Sequence, residues 1–124
     1  MIIDKETKRI EKYEYKISKI KDAVISDNIE HIDAHAFLSC HELKGVYIPK
    51  SVKSIGIGAF VLCKSLKNVC YEGTPEEWAK IDITEPAFVR SINIIYAPFT
   101  LENLMKQGLS LAKANDVLRM KGGV

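Results

Sequence analysis

An internal repeat of 23 residues constrains this chain more than any other feature of its sequence. Residues 29–51 read IEHIDAHAFLSCHELKGVYIPKS, and residues 52–74 read VKSIGIGAFVLCKSLKNVCYEGT. At this offset the apolar positions coincide, as do the two Ala-Phe pairs and the cysteines Cys40 and Cys63. Repetition at such a period is typical of a solenoid, in which each repeat buries its apolar face only by stacking on its neighbours.

Shorter copies of the pattern flank these two repeats. The segments IKDAVIS, before them, and VRSINII, after them, carry aliphatic residues at the same spacing, L-x-x-L-x-L. This spacing predicts short parallel strands about 4.7–4.9 Å apart, with equivalent side chains stacked through a common core. Leu43, Leu66 and Val89 are expected to form one such stack.

The repeat motif resembles a known family. The phrases AHAFLSCHELKGVYIPKSVKSIGIGAF and YEGTPEEWAKI fit the motif I-x-x-x-A-F-x-x-C-x-x-L-x-x-V-x-I-P-x-S-V. Over roughly residues 20–96 the chain is similar to the BspA-like leucine-rich repeats of bacteria. The resemblance implies a curved solenoid with a sheet on one face and short helical turns opposite. It also implies protein binding, often at cell surfaces.

We therefore expect an α/β solenoid, a short right-handed leucine-rich-repeat coil with a parallel sheet on its concave face over residues 20–97. Residues 1–19 are predicted to form an N-terminal β-hairpin cap, because apolar segments flank the polar stretch DKETK. Residues 98–124 are predicted to form a helical hairpin, packed on the solenoid or appended to it, with a cap over the last repeat favoured. Its helices begin after Thr100 and Ser110, and Gly108 ends the first.

The third repeat is modified by a predicted helix start. Thr74 and Glu77 have the spacing of a capping box, and Pro75 fits the first helical position. At the 23-residue offset, Trp78 takes the core position of Ile55. We expect Trp78 to hold this helix against the core.

Strand residues that point away from the core are predicted to form an exposed binding face. By register, this face carries three columns: Val24, Tyr47, Cys70 and Asn93; Asp22, Gly45, Asn68 and Ser91; and Ser26, Pro49, Glu72 and Ile95. Their mixture of aliphatic, aromatic and small polar side chains suits a protein partner. Tyr47 is the predicted anchor, since tyrosine is enriched among interface hot spots. Cys70 is the predicted reactive thiol.

A row of basic residues borders this face. Lys21, Lys44, Lys67 and Arg90 lie one repeat apart and would stack as a ladder on the rim of the sheet. Most such rows are simply solvated, because exposed charges contribute little to stability. The alternative hypothesis is that the row steers an acidic protein, or a nucleic-acid backbone, onto the rim.

Other chemistry finds little support in the sequence. The net charge of +2, from 18 basic and 16 acidic residues, does not by itself indicate nucleic-acid binding. His31 and His35 have a helical metal-pair spacing without further ligands, so a structural role is favoured. Cys40 and Cys63 share one repeat position, and either a disulfide or a pair of buried thiols remains open. No nucleophile-elbow, phosphate-loop or dinucleotide motif occurs.

The sequence thus predicts a non-enzymatic module, without cofactor or metal, that binds a protein partner on the sheet face and basic rim. An adaptor or an inhibitor, from a bacterium or a phage, is one version. The alternatives are a fragment of an adhesin-like surface protein and nucleic-acid binding through the terminal helices and basic row, which is less favoured. No export signal or membrane-spanning run is evident, so the expected location is cytoplasmic, or extracellular if a leader has been removed. Homo-oligomerisation stays open.

Overall fold

The computed structural model describes residues 1–88 and 92–121 and shows a coil with two parallel sheets. Sheet A contains, in spatial order, β1 (Ile2–Ile3), β3 (Asp22–Ile25), β5 (Gly45–Ile48), β7 (Asn68–Tyr71) and β9 (Asn93–Tyr96). Sheet B contains β2 (Arg9–Ile10), β4 (His31–Ile32), β6 (Ser54–Ile55) and β8 (Asp82–Ile83). The helices are α1 (Pro75–Trp78), α2 (Leu101–Lys106) and α3 (Leu111–Met120). The predicted solenoid is confirmed, and its second sheet is an addition to the prediction.

Alternation along the strands of sheet A divides their side chains between two apolar clusters. In β5, Val46 and Ile48 point into the coil and are fully buried. Tyr47, between them, points out of the coil into a separate cluster. Leu43 and Leu66 both lie in the inner core, whereas Val89 falls outside the described residues. The period of two along a strand therefore produces both an inner core and a second apolar face.

Stacked aromatic rings run through the corner of the coil. Tyr15, Phe37, Phe60 and Phe88 follow one another with ring centroids 5.3, 4.9 and 5.0 Å apart and nearly parallel planes. Aromatic pairs at this separation contribute about 0.5–1.5 kcal/mol each beyond their buried area. The repeated Ala-Phe position of the sequence is therefore a structural ladder that holds successive turns in register.

The prediction of an N-terminal β-hairpin is wrong. β1 pairs in parallel with β3 in sheet A, and β2 pairs in parallel with β4 in sheet B. The two strands therefore belong to different sheets and form a turn of the coil. This arrangement buries Ile3 and Ile10 in the inner core, which an isolated hairpin could not do. The offset here is one residue shorter than 23, since Ile2 pairs with Val24.

The last turn departs from the 23-residue register. Ile55 pairs with Ile83 and not with the position of Trp78, which lies on α1. Trp78 is half-buried against the core, edge-to-face with Tyr71 at a centroid distance of 5.1 Å. The predicted capping box of α1 is present, with both reciprocal hydrogen bonds between Thr74 and Glu77. The five extra positions that carry α1 bulge out of the coil, although the Trp78 side chain still packs on the core, and strand pairing resumes at β8.

The C-terminal helices begin where the sequence predicts. Thr100 caps α2 and Ser110 caps α3, each by accepting a hydrogen bond from the backbone N–H three residues on. Gly108, between the helices, has a φ of +114°, which favours glycine. The pair α2–α3, called the helical hairpin below, lies across the outer face of sheet A, and not over the end of the coil as expected.

Candidate functional site

The helical hairpin covers the surface that the sequence predicts to be exposed. Val24, Tyr47 and Cys70 are 0%, 2% and 5% exposed, respectively. They share a cluster with five residues of the C-terminal segment: Phe99, Leu104, Leu109, Ala114 and Val117. The prediction that these three strand residues lie on an open face is therefore wrong. The face is apolar enough to hold a ligand, and the chain's own hairpin occupies it.

Tyr47 is the central contact between the sheet and the hairpin. Its hydroxyl donates a hydrogen bond to the backbone carbonyl oxygen of Gln107 at 3.0 Å, just after α2. Its ring meets Phe99 edge-to-face, with centroids 6.4 Å apart. Burial raises the pKa of the Tyr47 hydroxyl well above its usual value. The predicted partner anchor is thus an internal anchor.

Ion pairs fasten the hairpin to the edges of the same face. Asp22 contacts the N-terminal ammonium of Met1 at 2.5 Å and Lys113 of α3 at 3.2 Å. Partial burial acts to raise the pKa of Asp22, but hydrogen bonds from these two ammonium groups outweigh it and leave the pKa below its usual value. Lys121 contacts Asp27 at 2.6 Å and Glu72 at 2.8 Å. Glu72, a predicted partner contact, is therefore engaged within the chain.

A cleft of about 650 Å³ opens where the strand starts of sheet A meet the loop between α2 and α3. This basic cleft is lined by Lys21, Asp22, Lys44, Gly45, Tyr47, Lys64, Ser65, Lys67, Asn68, Cys70, Gln107, Gly108 and Leu109. The four lysines are exposed and lie at its mouth, while the side chains of Tyr47 and Cys70 form its floor. Asp22 is the single acidic residue among the lining residues, and its charge already faces two ammonium groups.

Three of the four predicted basic residues come together at this cleft. Lys21, Lys44 and Lys67, called the lysine ladder below, each precede the first residue of a sheet A strand. The backbone N–H of Lys44 donates to the carbonyl oxygen of Lys21 at 2.8 Å, so the paired register extends to the ladder. In the next turn Asn68 pairs with Asn93, which gives Ile92 the position predicted for Arg90. Arg90 itself falls outside the described residues.

The remaining predicted partner contacts are divided between surfaces. Asn68 is half-buried in the basic cleft. Asn93 is exposed at the start of β9. The 23-residue register makes Asn93 the equivalent of Cys70. In the structure Ile95, two positions later, pairs with Cys70 and is half-buried against the hairpin cluster. The shift in the last turn thus places Ile95 in the column predicted for Asn93, and Asn93 in the column of Asp22, Gly45 and Asn68.

The cysteines are buried in the structure. Burial raises the pKa of the Cys70 thiol to about 11, so the prediction that Cys70 is a reactive thiol is wrong. Cys40 and Cys63 are free thiols in the inner core. Each donates a hydrogen bond to a carbonyl oxygen of the preceding turn, at 3.0 and 3.1 Å.

The histidines make contacts within the coil. His35 stacks on Tyr13 with ring centroids 5.2 Å apart. His31 Nδ1 is in hydrogen-bond contact with the Ser54 hydroxyl at 2.7 Å. Across the part of the chain that the structure describes, no three side chains of the types that bind metals come together. In the same residues, no helix is long and apolar enough to cross a membrane.

Two parallel sheets wound from short repeats, with ladders of equivalent side chains, define this chain as a leucine-rich-repeat solenoid. The model of the BspA-type leucine-rich repeat region matches residues 1–107 in six copies. The chain therefore belongs to the BspA-type leucine-rich repeat family. The match includes residues 1–19, in agreement with the placement of β1 and β2 in the coil.

Part of the chain is similar to a solved structure. The crystal structure of a leucine-rich cell surface protein from Faecalibacterium prausnitzii A2-165 matches with a TM-score of 0.39 and 19% sequence identity. The match covers 66% of this chain and 34% of that one, so the chain spans about a third of the length of that protein. No curated protein matches. The cytoplasmic location expected from the sequence gains no support from these comparisons.

Proposed function

We propose that this chain is a non-enzymatic protein-binding module that contacts its partner at the basic cleft. Its family is one of protein-interaction repeats, which supports a protein as the ligand. The outer face of sheet A is filled by the helical hairpin, so the partner surface is the one that the hairpin leaves open. The observation that carries the proposal is the group of exposed lysines around a preformed cleft.

The cleft combines features expected of an interface. It is concave, it joins two structural units of the chain, and its walls are held by Tyr47 and by the ion pair between Asp22 and Lys113. Binding sites concentrate at such junctions because rigid neighbours hold their groups in place before the ligand arrives. Burial holds the one thiol of the lining, Cys70, in the neutral form, and its one carboxylate, Asp22, is paired with two ammonium groups, so neither is poised as a nucleophile or a general base.

Site-specific photo-cross-linking tests this assignment. A lysine analogue that carries a diazirine and keeps its ammonium group would be placed at position 44, beside the cleft. The matched control carries the same analogue at position 80, which is exposed and does not line the cleft.

In extracts of the native host, the position 44 protein is expected to form a defined protein adduct that an excess of wild-type protein abolishes. The position 80 protein is expected to form none. Equal adducts at both positions, or none at position 44, would refute the assignment.

A further inference from the structure

The basic cleft holds a concentration of positive charge that no carboxylate among the described residues neutralises. Within residues 1–88 and 92–121, every ion pair uses basic groups other than the four cleft lysines. Asp22, the one carboxylate in the lining, is already paired with Met1 and Lys113. Like charges held at neighbouring strand positions repel one another, so an anionic ligand relieves a repulsion that the free protein carries.

We propose, as an extension of the protein-binding function above, that the ligand of this cleft is an extended acidic peptide segment lying across the starts of β3, β5 and β7. Charge complementarity identifies the occupant, because three ladder ammonium groups and Lys64 surround the cleft. The ligand lies across the strands, because the ladder itself runs from strand to strand.

The spacing of the lysine ladder fits an extended peptide. Neighbouring strands lie about 4.8 Å apart, so the three backbone positions of the ladder span roughly 10 Å. An extended chain rises about 3.3 Å per residue, and its alternate side chains point to one side. A segment of about four to six residues with Asp or Glu at alternate positions therefore presents its carboxylates along the whole ladder.

Two side-chain amides favour a peptide over other anions. Asn68 and Gln107 line the cleft and are half-buried. A carboxamide both donates and accepts, so it can pair with the N–H and C=O groups of a peptide backbone. Binding of single-stranded nucleic acid relies on aromatic platforms. The one aromatic ring in the cleft lining, that of Tyr47, is 2% exposed and packed beneath the hairpin. An acidic peptide is thus the better fit.

Fluorescence anisotropy with defined probes tests this proposal. The main probe is a labelled peptide of about seven residues in which Gly and Glu alternate. The comparison probes are the same peptide with Gln in place of Glu and a labelled oligothymidine of equal charge. The test protein carries Lys44→Glu and Lys67→Glu, and a control carries Lys50→Glu and Lys80→Glu. Both pairs change the net charge equally, and the control positions do not line the cleft. Circular dichroism verifies that both variants are folded.

The Glu peptide is expected to bind the wild-type protein at least tenfold more tightly than the Gln peptide or the oligothymidine. The cleft variant is expected to lose at least tenfold in affinity and the control less than twofold. The loss follows from repulsion by the reversed charges. Affinity should also fall steeply with added salt, because the lysines are exposed.

Equal binding of the Glu and Gln peptides, tighter binding of the oligothymidine, equal losses in the two variants, or no binding would each overturn the proposal. Failure of the acidic-peptide proposal can be distinguished from failure of the proposed protein-binding function. If position 44 cross-links a partner protein and the Glu peptide does not compete, the binding site stands and the acidic-peptide proposal fails.

Discussion

Replacing Tyr47 with alanine is expected to lower the free energy of unfolding by about 4–5 kcal/mol. Removing a buried aromatic side chain costs about 3–5 kcal/mol, and losing one hydrogen bond costs about 1 kcal/mol more, with partial collapse of the cavity offsetting part of the sum. Tyr47 meets both conditions, since it is 2% exposed and its hydroxyl donates to the carbonyl oxygen of Gln107. Tyr47→Phe removes only the hydrogen bond and is expected to cost about 1 kcal/mol.

Urea denaturation followed by circular dichroism measures both changes. Tyr13→Ala is the matched control, because the Tyr13 side chain is 50% exposed and stacks only on the surface. Its cost is expected to stay below about 1 kcal/mol, as for most surface substitutions. If Tyr47→Ala were as mild as Tyr13→Ala, Tyr47 would lie on an open face. The burial of sheet A by the hairpin would then be refuted.

Three further predictions concern other parts of the coil. Gly56→Ala is expected to lower the melting temperature, with a cost of about 1–3 kcal/mol, because a Cβ there would lie 2.5 Å from the backbone nitrogen of Ala34; calorimetry that shows no change would contradict this. Cys70 is expected to be alkylated at pH 8 about 100-fold or more slowly than an unfolded thiol, since its pKa is about 11. Peptide mapping measures the rate, and a rate equal to that of the unfolded thiol would refute the prediction. The pKa of Asp22 is lowered in the folded state, so the stabilisation that its carboxylate provides is full above about pH 4 and is lost as the pH falls through the folded-state pKa. The urea midpoint of Asp22→Asn should therefore approach that of the wild type in acid. A difference between the two midpoints that widens in acid would oppose this reasoning.

The inner core could be predicted from the sequence because its signal repeats. The aliphatic positions, the Ala-Phe pairs and the helix caps at Thr74, Thr100 and Ser110 are all set by local patterns that the structure keeps. The ends of the coil follow a different spacing. The first turn is one residue short, and the last turn accommodates α1 before Ile83 returns to the core. A single fixed offset cannot detect such slips, because it scores only residues that fall at the chosen period.

The outer face of sheet A could not be predicted from the repeat alone. Alternation shows that Val24, Tyr47 and Cys70 point away from the inner core, but it does not show what covers them. The missing signal lies in the C-terminal segment, where Leu104 and Val117 give the two short helices an apolar face. Two apolar surfaces in one short chain indicate that they bury each other. The sequence alone therefore allows the prediction that the helices cover the outer face of sheet A. The lysine ladder could be predicted because its three members follow the 23-residue repeat.

The outward bulge at α1 shows how growth in length can be absorbed by this architecture. The segment between β7 and β8 is five residues longer than the repeat requires. Ile83 nevertheless pairs with Ile55, and Phe88 stacks on Phe60. Each turn contacts only its immediate neighbours, so a local excursion does not propagate through the rest of the coil. Insertions at this corner could therefore supply new surface during evolution while the stacked interior stays as it is.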